Sequence, residues 1–150
     1  MDYLLFSGPA DAGKNTSIKY YKDLLVTTYG YIEKLETVND VNAVILENAS
    51  SGKRILIHPD SDMVTMINDL HRQVANHTVD AVIIGCRAEK DSMRDYMFKK
   101  LDLKNTANYY FEVPLGRMIR GTVRTEARKW YNESILKIAE LVGKQAPFSF

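Results

Sequence analysis

Residues 8–16 come close to a glycine-rich pattern that binds phosphate groups, G-x-x-x-x-G-K followed by Ser or Thr. The nine residues are Gly8, Pro9, Ala10, Asp11, Ala12, Gly13, Lys14, Asn15 and Thr16. Glycines at both ends of such a loop let the backbone turn tightly and bring its N–H groups around an anion. The lysine can reach the outer phosphates of a nucleoside triphosphate. The pattern therefore predicts nucleotide binding, with Lys14 stabilising charge on the β- and γ-phosphates.

Asn15 is the one departure from this pattern, because it stands where a Ser or Thr hydroxyl normally meets Mg²⁺. Its amide oxygen can still approach the cation or its water shell, since hard cations accept carbonyl oxygens. A magnesium site also needs a carboxylate. We predict Asp60 for this role because it follows the strand-like run 54–57, and Asp62 is the second candidate. Helix capping is the alternative role of both carboxylates.

Arginines at two places in the chain could stabilise the charge of a transferring phosphoryl group. Arg87 follows the apolar run 81–84, where an arginine can bind a phosphate bidentately. A salt bridge with Glu89 or Asp91 is its alternative role. Four further arginines are spaced by three, four and four residues and so share one face of a predicted helix: Arg117, Arg120, Arg124 and Arg128.

This arginine stripe has two interpretations. Above a phosphate site it would form a lid that stabilises the transferring group. Otherwise it is a solvated helix face or a surface for an anionic partner. On the first interpretation, the predicted catalytic residues are Lys14, Arg87, Arg120, Arg124 and Arg128.

The elements that must position these residues alternate along the chain between short apolar runs and segments of helical periodicity. Strands are predicted at 3–6, 43–46, 54–57, 81–84 and 109–113, and helices at 14–28, 63–74, 93–101 and 117–142. This order predicts an α/β protein whose mainly parallel five-stranded sheet lies between helices, with one antiparallel edge strand supplied by a hairpin. The segments that directly follow strands, 8–16, 58–62, 85–87 and 114–117, are expected to meet at the carboxyl edge.

Composition limits the class of protein. At 150 residues with a net charge of +1, we expect a single domain over residues 1–143 and a loose tail over residues 144–150, with no bulk attraction to nucleic acid. The single Cys86 excludes an internal disulfide and is expected to be a small buried hydrophobe. No run approaches a membrane span, so we expect a cytoplasmic protein. Core packing is expected for Trp130, Tyr131, Ile135, Ile138 and Leu141.

On these motifs the chain resembles the P-loop nucleotide and nucleoside-phosphate kinases. The branch it most resembles has a phosphate loop ending Gly-Lys-Asp-Thr, as in phage-type deoxynucleoside monophosphate kinases. Residues 13–16 match that ending with Asn for Asp, and residues 82–87 and 111–114 are similar to that group in order and spacing. The resemblance implies a three-layer P-loop NTPase-like fold, ATP and Mg²⁺ as cofactors, and an arginine-bearing lid. Two departures are the short segment before the hairpin and the missing acidic pair of nucleoside kinases.

The resulting prediction is a small ATP-binding kinase that transfers the γ-phosphoryl group to a small phosphate- or hydroxyl-bearing acceptor. A homodimer or a complex with a protein partner is compatible with this prediction. One alternative is a degenerate, non-catalytic nucleotide or anion sensor that acts through a protein partner. The other is a GTPase-like switch, suggested by the hairpin and Asp60. The guanine-reading Asn-Lys-x-Asp pattern is missing from residues 87–91, which disfavours the switch.

Overall fold

The computed structural model describes residues 1–34, 43–59, 61–116 and 124–150, except the side chains of residues 124–129 and 132. The strands are β1 Asp2–Ser7, β2 Tyr31–Lys34, β3 Val44–Asn48, β4 Arg54–His58, β5 Ala81–Cys86 and β6 Tyr109–Pro114. The helices are α1 Lys14–Thr28, α2 Val64–Asn76, α3 Ser92–Lys100 and α4 Arg124–Gly143.

The six strands form one mixed sheet in the order β2-β3-β4-β5-β1-β6. Strands β4, β5, β1 and β6 are parallel to one another, whereas β3 is antiparallel to both of its neighbours. The α/β class and the mostly parallel sheet are therefore confirmed, and the prediction of five strands was wrong. The antiparallel strand is also not at the edge, because β2 lies outside it.

Strand β2 was not counted among the predicted strands, because the loose alternation of residues 31–38 indicates no more than an extended segment and carries little of the signal of a buried strand. Tyr31 is buried, but Ile32 is half exposed and the next two residues are charged. The segment is held by its pairing with β3, including an ion pair of 3.1 Å between Lys34 and Glu47. An edge strand of this kind depends on its partner more than on its own pattern.

Helices cover both faces of the sheet. Leu4 and Phe6 of β1 belong to one hydrophobic cluster together with residues of α1 and α4. Tyr3 and Leu5 point to the other face, where the cluster includes residues of α2 and α3. Burial on both faces explains the unbroken apolar runs of the central strands. None of the helices in the described part of the chain is both long and apolar enough to cross a membrane.

The C-terminal tail, which we expected to be loose, packs against the domain. Phe148 is buried, and the Phe150 N–H donates a 2.8 Å hydrogen bond to the Gly143 carbonyl. The aromatic rings of Phe150 and Tyr21 lie 6.4 Å apart between centroids. Aromatic side chains near a chain end supply enough apolar area to hold it in place.

The exposed face of α4 also differs from the prediction. Ile135 is buried, but Trp130, Ile138 and Leu141 are exposed and do not join the core. The periodic apolar pattern of this helix is wider than the face that it buries against α1 and the sheet.

Candidate phosphate-binding site

The loop of residues 8–13 leaves the carboxyl end of β1, which lies between β5 and β6 in the sheet. From β1 the chain passes through α1 to β2 at one edge, and from β5 it passes through α3 to β6 at the other. Adjacent strands whose connections leave in opposite directions open a crevice at their carboxyl ends, and ligands of α/β proteins bind there. The glycine-rich loop therefore lies at the topological switch point of the sheet.

The two glycines of the loop are needed for different reasons. The Gly8 N–H donates a 3.0 Å hydrogen bond to the Cys86 carbonyl, which anchors the start of the loop to β5. A Cβ at Gly8 would lie only 2.7 Å from the carbonyl oxygen of Leu115. Gly13 has a φ of +90°, in the left-handed region that favours glycine, and it immediately precedes α1. Close packing therefore requires glycine at position 8, and the left-handed backbone conformation favours glycine at position 13.

Helix α1 begins without the features that usually satisfy a helix N-terminus. Its N-cap is Gly13, no side chain caps it, and its first turn contains no acidic residue. The N–H groups of a helix start carry a partial positive charge and require acceptors. An anion at this position would provide them.

Lys14 folds back over the loop that precedes it. Its side chain is 6% exposed, and its Nζ donates hydrogen bonds to the carbonyl oxygens of Gly8 at 3.2 Å and Pro9 at 3.0 Å. Burial lowers the pKa of Lys14, the nearby Asp62 carboxylate opposes that shift, and Arg87 adds to it. The site thus holds a desolvated ammonium group close to a second cation, an arrangement that favours an incoming anion.

Arg87 lies at the carboxyl edge, as predicted, but its partner is neither Glu89 nor Asp91. Its Nε is 2.7 Å from Oδ1 of Asp62. The loop that carries Asp62 is held against β5, because the Ser61 hydroxyl donates a hydrogen bond to the Gly85 carbonyl. The structure therefore brings together Lys14, Asp62 and Arg87.

The metal prediction is only partly within the described residues. Asp60 lies outside them, while Asn15 is exposed on the first turn of α1. Among the described residues, no group of three or more His, Cys, Asp or Glu side chains is arranged to hold a metal ion. A magnesium ion bound with a nucleotide needs only one or two protein carboxylates beside phosphates and water. Asn15 and Asp60 stay a prediction, and Asp62 is the described carboxylate beside Lys14.

The arginine stripe also lies largely outside the described structure. Arg117 and Arg120 are not in the described residues, and Arg124 and Arg128 are placed on the first turns of α4 by their backbone alone. Tyr131 links this helix to the end of β6, since its hydroxyl accepts from the Gly116 N–H at 2.6 Å and donates to the Pro114 carbonyl at 3.0 Å. The first half of α4 therefore lies near the carboxyl edge.

A partly buried ion pair beside the loop was not predicted from the sequence. Nη1 and Nη2 of Arg94 lie 2.8 and 2.7 Å from the two carboxylate oxygens of Glu112, and the guanidinium lies 4.4 Å from the centre of the Phe98 ring. Arg94 also donates to the Cys86 sulfur, and burial raises the pKa of that thiol to about 12, consistent with an unreactive side chain. The one sequence feature that could have indicated this pair is Glu112, a charged residue within the otherwise uncharged strand β6.

The described residues also form two open depressions near the loop. One, of about 550 Å³, lies along α1 and is lined by Asn15, Thr16, Lys19, Tyr20 and Asp23. The other, of about 400 Å³, lies between the ends of β1, β5 and β6, and its lining includes Ser7, Gly8, Pro9, Glu89, Glu112 and Leu115. We call the second one the Glu112 depression.

Comparison of the chain with protein-family models, curated proteins and solved structures found no match. Function therefore rests on the geometry of the site and on the sequence pattern that builds it.

Proposed function

We propose that this chain is a P-loop protein that binds ATP with Mg²⁺ through residues 8–16 and transfers the γ-phosphoryl group to a small acceptor. The observation that carries the proposal is the buried Lys14 ammonium group, folded over a glycine-rich loop at the switch point of the sheet. The loop supplies backbone N–H groups, and the uncapped start of α1 adds positive charge.

A purely structural role explains Lys14 poorly. A lysine in the first turn of a helix opposes the helix dipole, and its burial removes the ammonium from water. Two backbone carbonyls and Asp62 compensate only part of this loss. An ammonium carries three N–H donors, so Lys14 keeps a donor for a phosphate oxygen beyond the two carbonyls that it contacts.

The other groups have distinct proposed roles. Phosphoryl transfer is accelerated mainly by positioning and by charge stabilisation. Arg87 would release Asp62 and bind a phosphate group in its place. Asn15 and Asp60 would hold Mg²⁺ directly or through water. Arg120, Arg124 and Arg128 stay proposed as further positive charges near the transferring group.

Calorimetric titration tests the proposal most directly. ATP, GTP and ADP are titrated with and without Mg²⁺ into the intact protein, the Lys14→Ala variant and a Lys100→Ala control. Lys100 is an exposed lysine at the end of α3, so the control removes the same charge away from the loop. We expect magnesium-dependent ATP binding that is lost in Lys14→Ala and retained in the control. Equal ATP affinity in the Lys14→Ala variant and the intact protein would refute the proposal.

A second candidate function is binding without turnover, as in a sensor that acts through a protein partner. Asn15 favours it, because the hydroxyl that normally meets Mg²⁺ is missing. Nucleotide binding without release of ADP in the presence of acceptors would favour the sensor. Tighter binding of GTP than ATP would favour a GTPase-like switch.

A further inference from the structure

The Glu112 depression shares part of its wall with the phosphate-binding loop. Gly8 and Pro9 line it, and the carbonyl oxygens of these two residues accept the hydrogen bonds of Lys14. A molecule in the depression would therefore lie beside the site proposed for the outer phosphates. An acceptor of the phosphoryl group must lie in such an adjacent position, because transfer requires both reactants side by side.

Glu112 presents an ionised carboxylate to this depression. Burial alone would raise its pKa, but hydrogen bonds from Arg94 and Ser7 hold the pKa of Glu112 below its ordinary value. The bidentate contact with Arg94 fixes the orientation of the carboxylate. An ionised carboxylate accepts hydrogen bonds and donates none. The complementary ligand is therefore a hydrogen-bond donor, such as a hydroxyl group.

The charges around the depression disfavour a ligand that carries phosphate. Its lining contains the two carboxylates Glu89 and Glu112 and, among the described residues, no lysine or arginine. Arg94 is paired with Glu112, and Arg87, which pairs with Asp62, is the group proposed to turn to a phosphate of ATP. A phosphate group of the acceptor would face these two carboxylates, and the described lining offers it no cation.

We infer that the Glu112 depression is the acceptor site, and that it takes an uncharged or cationic, hydroxyl-bearing molecule without a phosphate group, whose hydroxyl is oriented by Glu112. This inference rests on the proposed function and narrows it to one of the two acceptor classes. A bond forms between the acceptor oxygen and the γ-phosphorus of ATP as the bond from that phosphorus to the β–γ bridging oxygen breaks. ADP leaves with the bonding electrons, and the hydroxyl proton passes to Glu112 and then to water.

The test uses paired acceptors and γ-labelled ATP. Glycerol, ethanolamine, ribose and thymidine are each supplied beside their monophosphate esters, and transfer of label is measured with the intact protein. We expect label on one or more of the unphosphorylated compounds and on none of the esters. Transfer to an ester, or to no unphosphorylated compound, overturns the inference.

The Glu112→Gln variant separates a role in acceptor binding from a structural role. We expect its kcat/KM for the acceptor to fall about 10²-fold, while its Kd for MgATP changes less than about threefold. Glu47→Gln is the matched control, since Glu47 is also a strand carboxylate paired with an arginine, Arg54. A lower melting temperature with unchanged acceptor kinetics would show a structural role and overturn the inference.

The two proposals fail in different ways. If the intact protein does not bind MgATP, both the proposed function and this inference are refuted. MgATP binding followed by transfer to the phosphate esters would remove the inference alone.

Discussion

The Lys14 ammonium group donates a 3.0 Å hydrogen bond to the Pro9 carbonyl. The first residue of α1 is thus held by the loop that directly precedes this helix. The carbonyl oxygens of Gly8 and Pro9 accept two hydrogen bonds from the Lys14 ammonium that could otherwise be donated to a phosphate. Binding of an anion would add to these contacts or replace them. Without a ligand, the buried Lys14 ammonium is therefore only partly compensated for its loss of contact with water.

Replacing Lys14 with Met should leave the free energy of unfolding unchanged or raise it by about 1 kcal/mol, because an apolar chain of similar length avoids burial of the ammonium. Stabilisation by MgATP should disappear in the same variant. Thermal unfolding with and without MgATP measures both effects. A loss of more than about 2 kcal/mol without ligand would instead assign Lys14 a structural role.

Gly8→Ala should destabilise the protein more than Gly30→Ala. The added Cβ at Gly8 would lie 2.7 Å from a backbone oxygen, whereas Gly30 has only a positive φ of 71° and open space around it. We expect a loss of about 1 kcal/mol for Gly30→Ala from backbone strain and about 2 kcal/mol or more for Gly8→Ala from strain and overpacking together. Chemical denaturation of the two variants measures the difference, and equal losses would contradict the close packing of the loop.

Phe148→Ala should destabilise the protein by about 3 kcal/mol, because this ring of the C-terminal segment is buried in the core. Leu141→Ala is the control on the neighbouring helix, since Leu141 is 64% exposed and its loss should change stability by no more than about 0.5 kcal/mol. Urea unfolding compares the two. Similar small effects would mean that the segment does not pack in solution.

The sequence predicted the elements whose signals are local. Central strands such as β5 were recognisable because burial on both faces requires an unbroken apolar run. The burial of Phe148 was not predictable, because it depends on residues distant in the sequence, such as Tyr109 of β6, whose ring centroid lies 5.8 Å from that of Phe148. Local periodicity contains no information on such contacts.

The candidate site shows the same division. The loop and Arg87 were predicted, since each directly follows a strand that ends at the carboxyl edge. The contacts between Arg87 and Asp62 and between Arg94 and Glu112 were not predicted, because each joins elements that only the packing of the sheet brings together. The sequence therefore predicted where the candidate site lies in the fold, but not which of its charged side chains pair with one another.

The stability contributed by Glu112 should depend on pH. Its pKa is lowered from 4.5 in the folded protein, so the unfolded chain binds a proton first as the pH falls. The contribution is therefore complete above about pH 4.5 and is lost as the pH falls through the lower folded-state pKa. Urea unfolding from pH 6 to pH 3 should show a steeper loss for the intact protein than for Glu112→Gln. Parallel pH dependences would contradict the lowered pKa.

Asp62→Asn should strengthen the binding of inorganic phosphate in the absence of Mg²⁺. Asp62 pairs with Arg87 at 2.7 Å and supports the charge of Lys14, so its carboxylate opposes any anion that approaches these two cations. Removing one negative charge at this partly exposed position should raise phosphate affinity by about fivefold, or about 1 kcal/mol. Asp69→Asn is the matched control, because Asp69 is also paired with an arginine, Arg72, but lies on the exposed face of α2. Calorimetric titration with phosphate compares the variants, and weaker binding to Asp62→Asn would mean that Asp62 mainly holds Arg87 in position for the anion.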